Sequence, residues 1–257
     1  MKPLPISVTV ISGAEASRIG RALESVAGWT SEIIVVLNAE VQDRTDRVAE
    51  NFGAKVFREP WKGFVAQKNS AADKASQPWL LNLDADEVVS PELRAEIART
   101  VSAGDAPHAA YEFPRCSLYH GRWIRHGDWY PDRVMRLWKK GSAVWAGEPH
   151  AALAVRGTVG RLHADLLHFT AESLNQSVAK IVRCADDFAE ERARTGKPVS
   201  LLDLLARPPL RFVRGYVFRL GFLDGWRGFM IAWLTAFYTF LRYARAREAL
   251  AQWEAKP

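Results

Sequence analysis

The first hundred residues alternate short β-branched runs with helix-spaced segments, and no other feature constrains the fold as tightly. Residues 6–11 read as a strand, and 15–27 as a helix with apolar positions at Ile19, Leu23 and Val26. Strands continue at 32–37, 54–57 and 79–83, and helices at 43–52, 64–75 and 91–101. This succession argues for parallel strands joined by helical crossovers, because a tight turn cannot close a parallel pair. The expected fold class is α/β, a mostly parallel sheet flanked by helices. Ligands of such sheets lie beyond the carboxyl ends of the strands. That rule singles out Ser12, Asn38 and Asp84.

At 257 residues the chain can bury a substantial core, and its composition, 48% hydrophobic and 25% charged, is that of a folded protein. Residues 105–170 lose the alternation and are rich in Gly, Trp, Arg and His, with strand-like runs at 109–113 and 134–137. The sequence turns helical again near 171, with breaks at Thr195-Gly196-Lys197-Pro198 and Arg207-Pro208-Pro209. The expected organisation is one catalytic domain over 1–170 and a helical C-terminal extension over 171–257. Cys116 and Cys184 are too few and too far apart for a disulfide framework or a zinc site. Met1-Lys2-Pro3 leads almost directly into the first strand, not into a signal peptide, so a reducing cytoplasm is the expected compartment. A formal charge of +6 suits anionic partners.

Asp84-Ala85-Asp86-Glu87 follows the apolar run Trp79-Leu80-Leu81-Asn82-Leu83. Two carboxylates one residue apart share a face of an extended strand and can hold a hard cation against a diphosphate. The bare pattern is common. At the end of an apolar strand, after several strand–helix units, it points to a metal and phosphate site at Asp84 and Asp86. Two carboxylates do not distinguish Mg²⁺ from Mn²⁺.

Several motifs in fixed order carry a specific resemblance. Ser7-Val8-Thr9-Val10-Ile11, Glu32-Ile33-Ile34-Val35-Val36, Asp43-Arg44-Thr45, Gly53-Ala54-Lys55-Val56-Phe57, Gln67-Lys68-Asn69 and Leu83-Asp84-Ala85-Asp86-Glu87 resemble the inverting family 2 glycosyltransferases. The likeness continues through Trp129-Tyr130-Pro131-Asp132-Arg133, Arg136-Leu137, Leu167-His168 and Gly221-Phe222-Leu223-Asp224-Gly225. Within that family the chain is similar to lipopolysaccharide-core β-1,4-glucosyltransferases. The resemblance implies a GT-A fold with a Rossmann-like sheet. Residues 1–104 would be its nucleotide-sugar-binding half and 105–170 its acceptor half. It also implies a nucleotide-sugar donor, a divalent metal at Asp84 and Asp86, and in-line attack by an acceptor hydroxyl with inversion. The implied acceptor is a lipid-linked saccharide, most simply lipopolysaccharide core. Ser12, Glu15, Asn38, Gln67, Asn69 and Asp84 fall on donor-site positions.

The sequence departs from the family pattern at three places. Thr-Lys-Asn-Glu is common after the first strand, where this chain has Ser12-Gly13-Ala14-Glu15. Asp is usual where Asn38 stands, and Asn both donates and accepts. A Glu expected near Gly147-Glu148-Pro149-His150-Ala151 falls on Ala151, which cannot take a proton. The proton acceptor is therefore sought among Glu148, His150, Asp132 and Asp128.

From Arg207 to Arg247 the chain has eight Arg and one acidic residue, Asp224. The uncharged stretch 228–241 would make a helix roughly 20 Å long, short of the ~30 Å hydrocarbon core. Lying at an anionic membrane surface, on the inner face of the cytoplasmic membrane, is one reading. A helix buried against the catalytic domain is the other, and no nucleic-acid partner is expected. Two rival functions remain at this level. Asp84-x-Asp86 with Asp186-Asp187 also resembles haloacid-dehalogenase-type phosphatases, and altered motif positions fit a catalytically impaired binding relative.

Overall fold

A computed structural model describes residues 2–104, 106–147, 151–170 and 173–254. The chain divides into two contact units, one of residues 1–115 and 133–168, the other of 116–132 and 169–257.

The first unit opens with β1 (Leu4–Ser12), α1 (Ile19–Glu24), β2 (Thr30–Asn38), α2 (Thr45–Asn51), β3 (Lys55–Glu59), α3 (Phe64–Asp73), β4 (Trp79–Leu83), β5 (Glu87–Val89) and α4 (Pro91–Ser102). Strands β3-β2-β1-β4 lie side by side and parallel, as the alternation requires. The helix expected over 15–27 is shorter, Ile19–Glu24, because turns occupy both flanks. Ser90 caps α4 by accepting from the Leu93 amide, with Pro91 in the first turn where no N–H is needed.

The segment without alternation contains β6 (Ala110–Tyr119), β7 (Arg122–Trp123), β8 (Asp132–Lys139), β9 (Ala143–Ala146), β10 (Ala152–Val155), β11 (Val159–Arg161) and β12 (Leu166–His168), and all but β9 and β10 continue the sheet in mixed sense. β8 runs antiparallel to β4, and β12 antiparallel to β5. β9 and β10 form a separate hairpin.

Successive residues of the parallel strands feed opposite faces. Ile33, Val35, Leu81 and Leu83 join α1 and α4 in one core, while Ile34, Val36 and Leu80 join Ala71 of α3, Trp138 and Trp145 in the other. These strands are apolar on both faces, as a parallel sheet between two helical layers demands.

The second unit holds α5 (Leu174–Thr195), α6 (Leu201–Leu205), α7 (Arg207–Val213) and α8 (Trp226–Glu254), with a π-helical turn at Arg214–Phe218 and a 3₁₀ turn at Gly221–Asp224. Two sequence expectations are corrected here. The break expected at Arg207-Pro208-Pro209 falls one residue earlier, at Ala206 between α6 and α7, and the prolines sit in the first turn of α7, where they are tolerated. The helix expected over 228–241 extends to 29 residues, about 43 Å. Its arginine-rich half is held against α5: Arg245 pairs with Asp186, and Arg242 lies over the Phe188 and Tyr243 rings. One face of α8 is buried through Ile231, Leu234, Thr239, Tyr243 and Ala246. Among the described residues no helix is long and apolar enough to cross a membrane.

Within this unit Asp224 is buried and accepts from the amides of Arg125 (3.1 Å) and His126 (2.9 Å). Tyr119, Ile124 and Ile231 pack as a small core beside it.

Candidate active site

The register of the parallel strands brings three carboxyl ends to one edge. Ser12 lies opposite Leu37, one residue before Asn38, and Val10 lies opposite Leu83, one residue before Asp84. Ser12 is buried and its hydroxyl donates to the Gly13 carbonyl. Asn38 is half-buried and its Oδ1 accepts from the Glu40 amide at 3.3 Å. Glu15 pairs with Arg18, and its amide donates to Thr45 Oγ1. Asp43 ties the loops together: one carboxylate oxygen accepts from Thr45 and the other from the Ala16 amide. The sequence marks Asp43 only as part of a motif. Its fastening role depends on the loop after β1 folding back to it.

A buried polar cluster lies under Asp84. The Asn82 amide donates to the Thr9 carbonyl at 2.9 Å, and its Oδ1 accepts from Lys68 (3.1 Å) and Arg136 (2.8 Å). Asp84 gives one oxygen to Lys68 at 2.8 Å and the other to Arg136. Glu87 is fully buried and accepts from Arg136 (2.8 Å), Arg115 (3.1 Å) and the Asp84 amide (3.0 Å). Burial alone would raise the Asp84 carboxyl, but Arg136 and Lys68 override it and hold it well below the usual carboxylate range. Burial and the nearby Arg136 charge lower Lys68 from its ordinary value, against the pull of Asp84. Lys68 also sits over the Trp145 ring, 4.6 Å from its centroid.

Asp86 faces another element. Its Oδ2 lies 3.4 Å from His168 Nε2, because the β5–β12 register sets His168 opposite Glu87. Burial would raise Asp86, and the hydrogen bond and charge of His168 bring it below its ordinary value. His168 is the site residue that sequence reasoning missed, although Leu167-His168 stood among the family-like motifs. Lys68 and Arg136 were missed too, hidden inside Gln67-Lys68-Asn69 and Arg136-Leu137.

The other expected residues have varied surroundings. Asn69 exchanges both amide groups with the Trp145 main chain at 2.9 Å, tying α3 to β9. Gln67 is fully buried, and its amide has no hydrogen-bond partner among the described residues. Glu148 and His150 lie outside the described residues. Asp132 belongs to the second unit, as does Asp128, which is buried between Arg211 (3.1 Å) and Arg219 (3.4 Å). Among the described residues no three His, Cys, Asp or Glu side chains gather as a metal cage.

The family model for glycosyl transferase family 2 matches residues 7–154, more than half of the chain. The chain belongs to glycosyltransferase family 2. It is a glycosyltransferase, and its mostly parallel sheet flanked by helices is the GT-A fold. An uncharacterized glycosyltransferase of Rickettsia felis is 31% identical over 95% of this chain and 90% of its own length. The lipopolysaccharide core biosynthesis glycosyltransferase LpsC of Rhizobium meliloti is 27% identical over 94% and 92%. The mannosyltransferase PcManGT of Pyrobaculum calidifontis, solved with GDP-Man and Mn²⁺, superposes with a TM-score of 0.60 at 13% identity, covering all of this chain and 89% of the other. That likeness establishes the fold. The phosphatase reading falls with family membership, and Asp186 belongs to a helix–helix ion pair and not to a strand end.

Proposed function

We propose that the enzyme transfers a sugar from a nucleotide-diphosphate donor to a lipid-linked saccharide, with inversion, on the inner face of the cytoplasmic membrane. The observation that carries the donor half is the pair Asp86–His168 beside Asp84 at the carboxyl end of β4. An ionised carboxylate and an imidazole 3.4 Å apart would hold one divalent cation, Mn²⁺ more readily than the oxygen-seeking Mg²⁺, with phosphate oxygens and water filling the remaining positions. Such an ion, when bound, neutralises charge on the departing diphosphate. Asp84, the other expected ligand, keeps lone pairs for it beyond its bonds to Lys68 and Arg136. In the reaction as proposed, the acceptor oxygen forms a bond to the anomeric carbon as the bond to the phosphate oxygen breaks. The electron pair leaves with the diphosphate, and the acceptor's proton passes to a base sought among Glu148, His150 and Asp132. The acceptor class is supported by likeness to LpsC along nearly the whole chain.

A thermal-shift panel of nucleotide sugars with and without Mn²⁺ tests the donor half. One donor should raise the midpoint only with metal, and Asp86→Ala should abolish that rise while His168→Ala weakens it at least about tenfold in apparent affinity. No shift with any donor would sink the proposal. Metal-dependent binding without transfer to lipid-linked saccharide would favour the impaired relative instead.

A further inference from the structure

The second unit displays apolar side chains that a water-exposed helical surface would not ordinarily carry. Neither α6 nor α7 buries a single residue, yet α6 has four leucines in five residues and α7 carries Leu210, Phe212 and Val213. Leu202 is 74% exposed, Leu205 72% and Phe218, in the π-helical turn, 78%. Along α8 the exposed residues Trp226, Phe229, Trp233, Phe237 and Phe240 recur at helical spacing, opposite the face that packs inward. These groups are connected. Phe212 lies against Tyr216, Phe229 and Trp233, and Tyr216 against Phe222 and Phe229, with ring centroids between 5.4 and 6.3 Å. An exposed apolar patch that continuous marks a surface that something covers.

The charges decide what covers it. Residues 201–240 carry Arg207, Arg211, Arg214, Arg219 and Arg227 against two acids, and the buried Asp128 pairs with Arg211 and Arg219. Asp203 is held by Arg207 and its own helix cap, and Asp224 is buried. A second copy of the chain, paired through the same patch, would set this basic excess against itself. An anionic bilayer instead offers phosphates to arginine and acyl chains to the apolar groups, with tryptophan favoured at the boundary.

We infer that α6, α7, the two turns after them and the first half of α8 form a docking face for an anionic phospholipid surface, with Leu202, Leu205 and Phe218 inserted and the arginines at phosphate level. The inference deepens the membrane placement proposed above, and its test separates the two.

The full-length protein is floated with vesicles of phosphatidylcholine alone or mixed with phosphatidylglycerol. Leu202→Ser/Leu205→Ser/Phe218→Ser and Arg214→Gln/Arg219→Gln serve as variants, and light scattering gives the oligomeric state. Wild type should partition onto the mixed vesicles. The triple-serine variant should lose on the order of tenfold or more in partition. The arginine variant should lose less, and its remaining binding should depend less on salt. All should keep the donor-induced thermal shift of wild type. Absence of partition, or partition unchanged in the triple variant, would overturn the inference. So would a wild-type dimer that the serine changes dissolve without any vesicle binding. If wild type floats but no donor shifts its melting, the docking face stands and the donor proposal falls.

Discussion

Arg136 is the residue on which the site's electrostatics turn. It bonds Asn82, Asp84 and Glu87 at once while almost wholly shielded from solvent. Removing its charge leaves a fully buried Glu87 with Arg115 as its remaining cation. Arg136→Gln should therefore cost about 3–5 kcal/mol, read as a fall in urea midpoint by circular dichroism. Glu32 gives a pH-dependent case. Burial would raise its carboxyl, but Lys55, Ser7 and Ser76 hydrogen bonds bring it to about 2. Because the folded value lies below the unfolded one, the associated stability is present at neutral pH. It is lost as pH falls from near 4.5 toward 2. Glu32→Gln should lower stability by about 2 kcal/mol at pH 7, a figure kept modest because Lys55 is 65% exposed. The deficit should vanish near pH 2 in a series of urea titrations. At the proton-accepting end, Glu148→Ala and His150→Ala are expected to differ: the true base should lose on the order of 100-fold or more in turnover, with donor affinity unchanged.

Among the elements, the closest fit is where α8 leaves the 3₁₀ turn. A Cβ on Gly228 would stand 1.8 Å from the Gly221 carbonyl oxygen, which belongs to backbone and cannot swing away. Gly228→Ala should push that turn aside, disturb Asp224 and cost about 3 kcal/mol or more. Hydrogen exchange at the Arg125 and His126 amides, both bonded to Asp224, would report the change directly. This scale also shows what sequence can and cannot reveal. β1 to β4 and α1 to α4 were legible because each is a local pattern with its own period, whereas the three-residue β5 was not. β12 was not, since three residues carry no period and its partner is the distant β5. His168 therefore escaped notice while Asp84 and Asp86, at the end of an obvious strand, did not. Lys68 and Arg136 escaped for a similar reason: each reaches the cluster from a different neighbour, α3 and β8, and only tertiary placement makes them partners. α8 was read short because its charged half looks like a terminus until Asp186 and Phe188 stand beside it.

Taken whole, the chain joins a GT-A fold to a helical unit rich in arginine and aromatic side chains, and its formal charge of +6 is weighted toward that end. Donor with Mn²⁺ at about 100 times its dissociation constant should add roughly 2.7 kcal/mol to stability, a rise of about 5–10 °C in calorimetry. Chelation should return the midpoint to that of the free protein. The path of the chain between the two units has a further consequence. Residues 116–132 leave the first unit, join the C-terminal helices, and return. Tyr119 and Ile124 find their core around Ile231, and the amides of Arg125 and His126 find their acceptor in Asp224. The C-terminal helices are thus not a detachable module that a gene fusion or deletion could add or drop at residue 170. Such an event would strand an internal loop without its partners, so a fragment ending at 170 should lose amide protection at Arg125 and His126.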